Sequence, residues 1–238
     1  MRLDLFLYTT YNLKSRTYAQ ELVKKGKVKV NGDVVSKVSL EVSDKDNIEV
    51  NLDESFASQG AFKLKKAIEE FNISVDGKIC ADFGCSNGGF TDILLRNNAK
   101  LVYAYDVGEC ALEKSLLETG KVIFIKQNLR ELPDDIKKVD FVCCDVSFIS
   151  IKLIILSIYK VLKDSGEGVI LIKPQFEAGK QYLNKSGIVK DKKIHEIIKE
   201  DVCACLEATN LKVKGITTSP IFYENKNIEY LVFFKKGN

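Results

Sequence analysis

The segment Cys80-Ala81-Asp82-Phe83-Gly84-Cys85-Ser86-Asn87-Gly88-Gly89-Phe90-Thr91 constrains the fold more than any other part of the chain. An apolar, strand-like run at 79–83 breaks into a glycine-rich turn, and helical spacing resumes at 90–96. A strand that feeds a helix through such a turn belongs to a crossover unit, whose next strand runs parallel to the first. The chain supplies the further strands. Apolar, β-favouring runs recur at 101–107, 122–125, 139–146, 169–172, 213–217 and 230–234, with helical patterns at 111–118, 149–162 and 194–206 between them. This alternation predicts an α/β domain with a mostly parallel sheet and helices on both faces.

Other classes are excluded by what the chain lacks. Its 238 residues are 45% hydrophobic and 29% charged, the balance of an ordinary globular protein. No run of about 18 apolar residues is present, so no membrane-spanning helix is expected. The apolar stretch near residues 5–13 follows Asp4 and has no small-residue cleavage site, which makes it a poor signal peptide. The seven cysteines are odd in number, Cys143 and Cys144 are adjacent, and no Cys-x-x-Cys pair occurs. With His195 the single histidine, a zinc site lacks ligands and no metal is expected. The cysteines read as small buried hydrophobes in the reducing cytoplasm. A Cys–His nucleophile would need His195, which lies in a lysine-rich, helix-like stretch, so hydrolase triads are all but excluded.

The first fifty residues are organised differently. Leu3, Phe6 and Leu7 suggest a short helix ending near Asn12. Ser15 is placed to cap a second helix carrying Tyr18, Ala19, Leu22 and Val23, and Gly26 stops it. Val28 and Val30 then alternate with lysines, Asn31-Gly32 signals a hairpin, and 34–35, 38–40 and 48–50 suggest further short strands. Residues 14–29 hold six basic side chains against Glu21 alone, a net of +5, whereas the whole chain carries only +3. Such a face suits a phosphate backbone, where each contact releases a counterion. It also suits a merely solvated surface.

The string Ser15-Arg16-x-x-Ala19-x-x-Leu22-Val23-x-x-Gly26-x-Val28-x-Val30-Asn31-Gly32 resembles the S-four-type RNA-binding domain, a small α+β unit, over residues 1–52. The resemblance implies RNA contacts from the second helix and the hairpin. The expected contacts are Arg2, Lys14, Arg16, Lys24, Lys25, Lys27 and Lys29. Residues 53–58, opening on Asp53-Glu54, read as a linker, and 59–238 as the α/β domain. Its first helix would present Leu64, Ala67, Ile68 and Phe71, with Lys63, Lys65 and Lys66 off that face.

The glycine loop also bears on the ligand. A strand, a glycine turn and a helix N-terminus form a site for a negatively charged group. The next strand ends at Asp106, where a carboxylate can grip ribose hydroxyls of a nicotinamide cofactor or of S-adenosylmethionine. The dinucleotide fingerprint needs a middle glycine for approach of a pyrophosphate, and Ser86 stands there instead. S-adenosylmethionine has no pyrophosphate, so the loop favours it. Asp82 suits the ligand's amino group. Asn128 could reach the adenine or simply shape a turn. The expected cofactor contacts are therefore Asp82, Gly84, Ser86, Gly88, Gly89, Phe90, Asp106 and Asn128.

Two later strands lead into Asp145-Val146-Ser147-Phe148 and Lys173-Pro174-Gln175-Phe176. An Asp and a Lys at strand ends are costly to bury unpaired, so each needs a partner. One reading is an ion pair locking adjacent strand ends. The other is that Lys173 acts on a ribose hydroxyl, a poor nucleophile until its proton is taken up. A lysine serves as base only when burial or a nearby cation lowers its pKa. Lys63 could be that cation, with Asp145 and Glu229 orienting both ammonium groups.

Across the whole chain, Ser58-Gln59-Gly60-Ala61-Phe62-Lys63-Leu64, the glycine loop through Asp92, Asp106-Val107-Gly108, Asp145-Val146-Ser147-Phe148-Ile149-Ser150, Lys173-Pro174-Gln175-Phe176-Glu177 and Asn227-Ile228-Glu229-Tyr230-Leu231 resemble the motifs of the TlyA, or haemolysin-A-like, family of ribosomal RNA 2′-O-methyltransferases. The resemblance implies a class I, Rossmann-like, S-adenosylmethionine-dependent domain of FtsJ type behind the small RNA-binding domain. It implies ribosomal RNA or ribosomal subunits as partner, cytidine as the nucleoside, and Lys63, Asp145, Lys173 and Glu229 as the catalytic set. Gln59, Asn87 and Lys226 depart from the family pattern, and Lys226 bears on the loop carrying Glu229. Two other readings are a cytolysin, which should show an apolar or amphipathic membrane segment, and an RNA-binding protein without catalysis, which the intact lysine and carboxylate set opposes.

Overall fold

The computed structural model describes residues 1–11, 13, 15–43, 45–50, 56–221 and 226–237, and the chain divides into two units, Met1–Ser55 and Phe56–Asn238. Lys14 and the expected linker residues 53–55 lie outside the described residues.

The smaller unit contains α1 (Leu3–Thr10), α2 (Arg16–Lys24), β1 (Val28–Val30), β2 (Asp33–Val34) and β3 (Ile48–Val50), with the strands in antiparallel order β2-β1-β3. The Ser15 hydroxyl accepts the Tyr18 N–H at 3.1 Å, the N-cap that the sequence predicts. Asn31 and Gly32 both have positive φ, 54° and 90°, as a two-residue hairpin turn of type I′ requires. Leu3, Leu7, Ala19, Leu22, Val23 and Val28 close a small core. The strand expected at 38–40 does not form. Its carbonyls serve α1 instead: Leu3 N–H donates to Leu40 O at 2.7 Å and Asp4 N–H to Val38 O at 3.2 Å, satisfying helix-end donors that have no partner within the helix.

The larger unit runs α3 (Ala61–Glu70), β4 (Ile79–Phe83), α4 (Gly89–Arg96), β5 (Leu101–Asp106), α5 (Lys114–Glu118), β6 (Val122–Lys126), β7 (Val139–Cys144), α6 (Ile155–Val161), β8 (Leu162–Ile172), α7 (Pro174–Glu177), α8 (Lys192–Ala208), β9 (Leu211–Thr218) and β10 (Tyr230–Lys236). Its sheet has the order β6-β5-β4-β7-β8-β10-β9, parallel throughout except that β10 opposes both its neighbours. Successive strand residues face opposite ways. Cys80, Phe141, Cys143, Val169 and Leu171 pack with α3 and α4, whereas Ala81, Phe83, Val142, Cys144, Ile170 and Ile172 pack with α6 and α8. Helices therefore cover both faces, and the central strands are apolar but for Asp82 in β4, Asp140 in β7 and the charged first half of β8, because neither face meets water.

Besides shifts of two or three residues, such as α5 starting at Lys114 and β7 ending at Cys144, three boundaries differ from expectation. β8 starts at Leu162, well before the apolar run, because Lys163-Asp164-Ser165-Gly166-Glu167 carries no alternating pattern to mark it. The helix expected over 149–162 is a 3-10 turn, Ile151–Leu153, followed by α6. Phe56 and Ala57, expected in the linker, are buried: Phe56 lies under the Arg96 guanidinium, 4.9 Å from its ring centroid, and Ala57 N–H donates to Asp92 Oδ2 at 2.9 Å.

All seven cysteines are free thiols. Cys80, Cys143 and Cys144 are buried strand residues, and burial pushes the Cys80 thiol up to about 12. Among the described residues no cluster could hold a metal ion, and no helix is long and apolar enough to cross a membrane.

Candidate active site

The chain leaves β4 toward β5 on one side, while β7 lies on the other. Such a reversal opens a crevice at the carboxyl ends of the strands, where open α/β sheets bind ligands. The loops after β4 and β7 meet closely there. Gly84 has φ +82°, and a Cβ on it would stand 3.1 Å from Asp145 O, so this position demands glycine on two counts.

Two adjoining cavities occupy the crevice. One, about 480 Å3, is lined by Ser58, Gln59, Gly60, Lys63, Gly84, Ser86, Gly89, Phe90, Asp145, Lys173, Gln175 and Glu229, among others. The other, about 380 Å3, is lined by Asp106, Val107, Asn128, Leu129, Val146, Phe148 and Ile154. They share Gly84, Ser86, Asp145 and Ser147.

The smaller cavity fits the adenosine end of S-adenosylmethionine. Asp106 Oδ2 accepts the Ser86 N–H at 3.0 Å and Oδ1 the Gly108 N–H at 3.0 Å, which aims the carboxylate and leaves lone pairs for ribose hydroxyls. Val107, Leu129, Val146 and Ile154 give apolar walls suited to a purine. Asn128 lines the same cavity, although its Oδ1 also accepts the Arg130 N–H at 3.1 Å, so it both shapes the turn and faces the ligand space. Gly84, Ser86, Gly89 and Phe90 line the way to the larger cavity. Asp82 and Gly88 stand back from both. Asp82 is wholly buried and accepts the Thr91 hydroxyl at 2.7 Å, while its other oxygen has no hydrogen-bond partner. Burial pushes its carboxyl up to about 7, against the lowering effect of Thr91. It supports the loop from behind and lines neither cavity.

The four expected catalytic side chains come together. Lys173, at the end of β8, places Nζ 2.7 Å from Asp145 Oδ1 and donates to Ser147 Oγ at 2.8 Å. Lys63, in the first turn of α3, lies 3.1 Å from Asp145 Oδ2 and 2.7 Å from Glu229 Oε2. The result is an alternating row, Lys173–Asp145–Lys63–Glu229, whose charges cancel. Burial pulls the Lys63 ammonium down, but Asp145 and Glu229 outweigh it, so its pKa is raised and it stays protonated at neutral pH. The loop before Glu229, which Lys226 put in question, is held by Asn227, whose Oδ1 accepts the Val189 N–H at 2.9 Å and whose Nδ2 donates to Gly187 O at 2.9 Å.

Three further residues bear on the site. Ser147 orients Lys173. Gln175 lines the larger cavity with a buried Oε1 that has no hydrogen-bond partner. Glu177 accepts the Ser150 hydroxyl at 2.6 Å and the Ile151 N–H at 2.7 Å, tying the loop after β7 to the one after β8. All three sit inside the motif strings, but nothing in their spacing marks these contacts.

In the smaller unit, Arg2 and Arg16 converge on Asp4. Arg2 Nε lies 3.1 Å from Asp4 Oδ1 and Arg16 Nε 3.0 Å from Oδ2, while Gln20 Nε2 donates to Oδ2 at 2.8 Å. Asp4 is wholly buried, and the two arginine side chains stay nearly half exposed. Lys24, Lys25 and Lys29 are exposed. Lys27 and Lys29 border a cleft of about 340 Å3 together with Glu49.

The strand order, the glycine loop and the paired cavities define a class I S-adenosylmethionine-dependent methyltransferase. The model of the FtsJ-like methyltransferase family matches residues 56–236, and that of the S4 domain matches residues 1–48. Hemolysin A of Brachyspira hyodysenteriae is 40% identical over 98% of this chain and 99% of its own length. The 16S/23S rRNA (cytidine-2′-O)-methyltransferase TlyA of Mycobacterium tuberculosis is 34% identical over 98% of this chain and 89% of its own. A candidate hemolysin of Streptococcus thermophilus superposes with a TM-score of 0.76 at 36% identity, covering 100% of this chain and 89% of that one. The chain belongs to the FtsJ-like methyltransferase family, in its S4-domain-bearing TlyA and hemolysin A branch.

Proposed function

We propose that the protein methylates the 2′-hydroxyl of a cytidine ribose in ribosomal RNA, acting in the cytoplasm on ribosomal subunits or their RNA. The row Lys173–Asp145–Lys63–Glu229 beside the cofactor cavities carries this reading, because it is a device for a weakly acidic hydroxyl. S-adenosylmethionine supplies an activated methyl group on a sulfonium. Asp106 holds the ribose hydroxyls of the cofactor, and Asn128 borders its adenine. Gly84, Ser86, Gly89 and Phe90 border its amino-acid end, with Asp82 and Gly88 shaping the loop from behind.

Lys173, its side chain only 9% exposed, is held by Asp145 and Ser147 in one orientation at the cavity wall. There its ammonium hydrogen-bonds the substrate oxygen and offsets the negative charge that develops as the hydroxyl proton passes to solvent and the oxygen attacks. Lys63, kept protonated, fixes Asp145 from the far side, and Glu229 balances its charge. With the electrophile already activated, alignment of the hydroxyl accounts for much of the rate. Arg2, Lys14, Arg16, Lys24, Lys25, Lys27 and Lys29 of the S4 unit grip the RNA backbone. TlyA of M. tuberculosis, named for this reaction on cytidine, supports the choice of substrate.

The test is transfer of labelled methyl from S-adenosylmethionine to purified ribosomal RNA and subunits. The wild type should label at least one of them, and Lys173→Ala should not while still binding the cofactor. A cofactor-binding wild type that labels no RNA or subunit would overturn the reading.

A further inference from the structure

Beside the larger catalytic cavity lies a third, about 660 Å3, that no step of the proposed reaction uses. The two adjoin at Ser186, Ile188 and Lys226, which line both. The third cavity is also lined by Lys190, Lys192, His195, Glu196 and Tyr230. Lys190 and Lys192 are exposed, and Glu196 pairs with Lys199 at 2.7 Å. Residues 180–193 as a whole carry five lysines against Asp191. The cofactor cavity differs in charge: Asp106 lines it, and among the described residues no lysine or arginine does.

The lysine-bearing loop is built rather than loose. Asn184 Oδ1 accepts the N–H groups of Ser186 at 2.9 Å and Ile188 at 2.8 Å. Asn227 holds the loop at Gly187 and Val189. The third tie is the single histidine. His195 is 6% exposed, and its Nε2 lies 2.8 Å from Val189 O, which makes Nε2 the donor. Its Nδ1 is then the acceptor for the Tyr230 hydroxyl at 2.9 Å. A loop fixed at these points presents its lysines with little ordering left to do on binding.

We propose that this groove is the track of the RNA strand flanking the target nucleotide, with Lys190 and Lys192 holding its phosphates. The proposal rests on the catalytic cavity being the seat of a ribose. A ribose within a polynucleotide has a phosphodiester on each side, so the strand must leave the cavity along its wall. The wall at Ser186 and Ile188 leads to cations, and the one at Gly84 and Ser147 leads into the cofactor cavity, which the adenosine end of the cofactor takes up and Asp106 makes acidic. The groove thus also fixes which way the strand runs out of the site.

The test uses the full chain, a ribosomal RNA transcript and the double variant Lys190→Gln/Lys192→Gln. Lys100→Gln/Lys121→Gln, which removes equal charge at the far ends of β5 and β6, is the control. The groove variant should raise the KM for RNA roughly tenfold near 0.15 M salt, and its log-affinity against log-salt slope should be shallower by about 1.4, or about 0.7 for each of two single-strand contacts. Its kcat and cofactor affinity should stay within about twofold of wild type, and the control should match wild type throughout. A KM and slope like those of wild type, or a shift equal to the control's, overturns the proposal. So does a shift seen with whole subunits but absent with naked RNA, which would make the groove a protein-binding surface. Should the double variant lose the cofactor and so its fold, Lys190→Gln alone is measured, with about a threefold rise in KM expected and no rise overturning the proposal. RNA binding is measured alongside turnover, so a wild type that binds RNA without methylating it defeats the functional reading and still tests the groove.

Discussion

The Lys173 ammonium lies 2.7 Å from Asp145 Oδ1, and this ion pair joins the ends of two neighbouring parallel strands. The pair is at once a lock between strands and the start of the catalytic row, because the second oxygen of Asp145 faces Lys63 at 3.1 Å. Asp145→Asn removes the charge that both lysines share. It should lower methyl transfer by about 10²- to 10³-fold, on the scale of a lost group that holds charge stabilisation in place. It should also lower the thermal midpoint, since two largely buried ammonium groups lose a counter-charge. Turnover and thermal unfolding of the one variant check both effects.

Asp106 offers a test of the cofactor site that is independent of RNA. Its carboxylate is aimed by the N–H groups of Ser86 and Gly108. Asp106→Ala should weaken S-adenosylmethionine binding by roughly 10- to 100-fold, about 1.5–3 kcal/mol for hydrogen bonds to a charged group. Calorimetric titration measures it. Affinity unchanged within twofold would show that the ribose lies elsewhere.

Asp82 and Asp4 should give opposite pH dependences. Burial holds the Asp82 carboxyl up to about 7, so the folded state binds its proton more tightly than the unfolded chain, whose carboxyl titrates near 3.8. Its contribution to stability is fully present below the unfolded value and is lost as pH rises from there to about 7. Asp82→Asn, which keeps the shape without the charge, should remove that decline. Denaturant midpoints taken between pH 4 and 8 decide it.

Burial alone would raise the Asp4 carboxyl, but hydrogen bonds from Arg2, Arg16 and Gln20 outweigh it and hold the group well below the ordinary value of 3.8. The stability Asp4 contributes is present above that value and is lost as pH falls through the folded pKa. Asp4→Asn should destabilise the S4 unit at neutral pH and flatten its acid sensitivity. Hydrogen exchange of α1 and α2 across pH reports on this unit by itself.

The order of strands and helices was legible because the buried strands are short apolar runs punctuated by glycine, Asn-Gly or charge. The glycine loop located the crevice, and Ser86 in place of a glycine pointed to the cofactor. What sequence could not show is how residues are spent. Residues 38–40 have the pattern of a strand and are used to cap α1. Asp82 has the position of a ligand contact and is buried beneath the loop. Arg2 and Arg16, expected as RNA contacts, also bind Asp4, and their half-exposed side chains leave only part of each guanidinium for a phosphate. Lys63 and Glu229 lie far apart in the chain, and no local period connects α3 to the residue before β10, so the sequence could offer them as partners of Lys173 and Asp145 without showing their contact. Residues 184–190 are held in part by the long-range hydrogen bonds of Asn227, which leave no pattern in composition.

The most direct measurement is the chemical identity of the methylated nucleoside. Ribosomal RNA labelled by the wild-type protein is digested to nucleosides and resolved by mass spectrometry. The methyl group should sit on the ribose 2′-oxygen of cytidine, with none on any base, and Lys173→Ala should leave that nucleoside unlabelled. A methyl on a base nitrogen or carbon, or full labelling by Lys173→Ala, would contradict the role given to the lysine and carboxylate row.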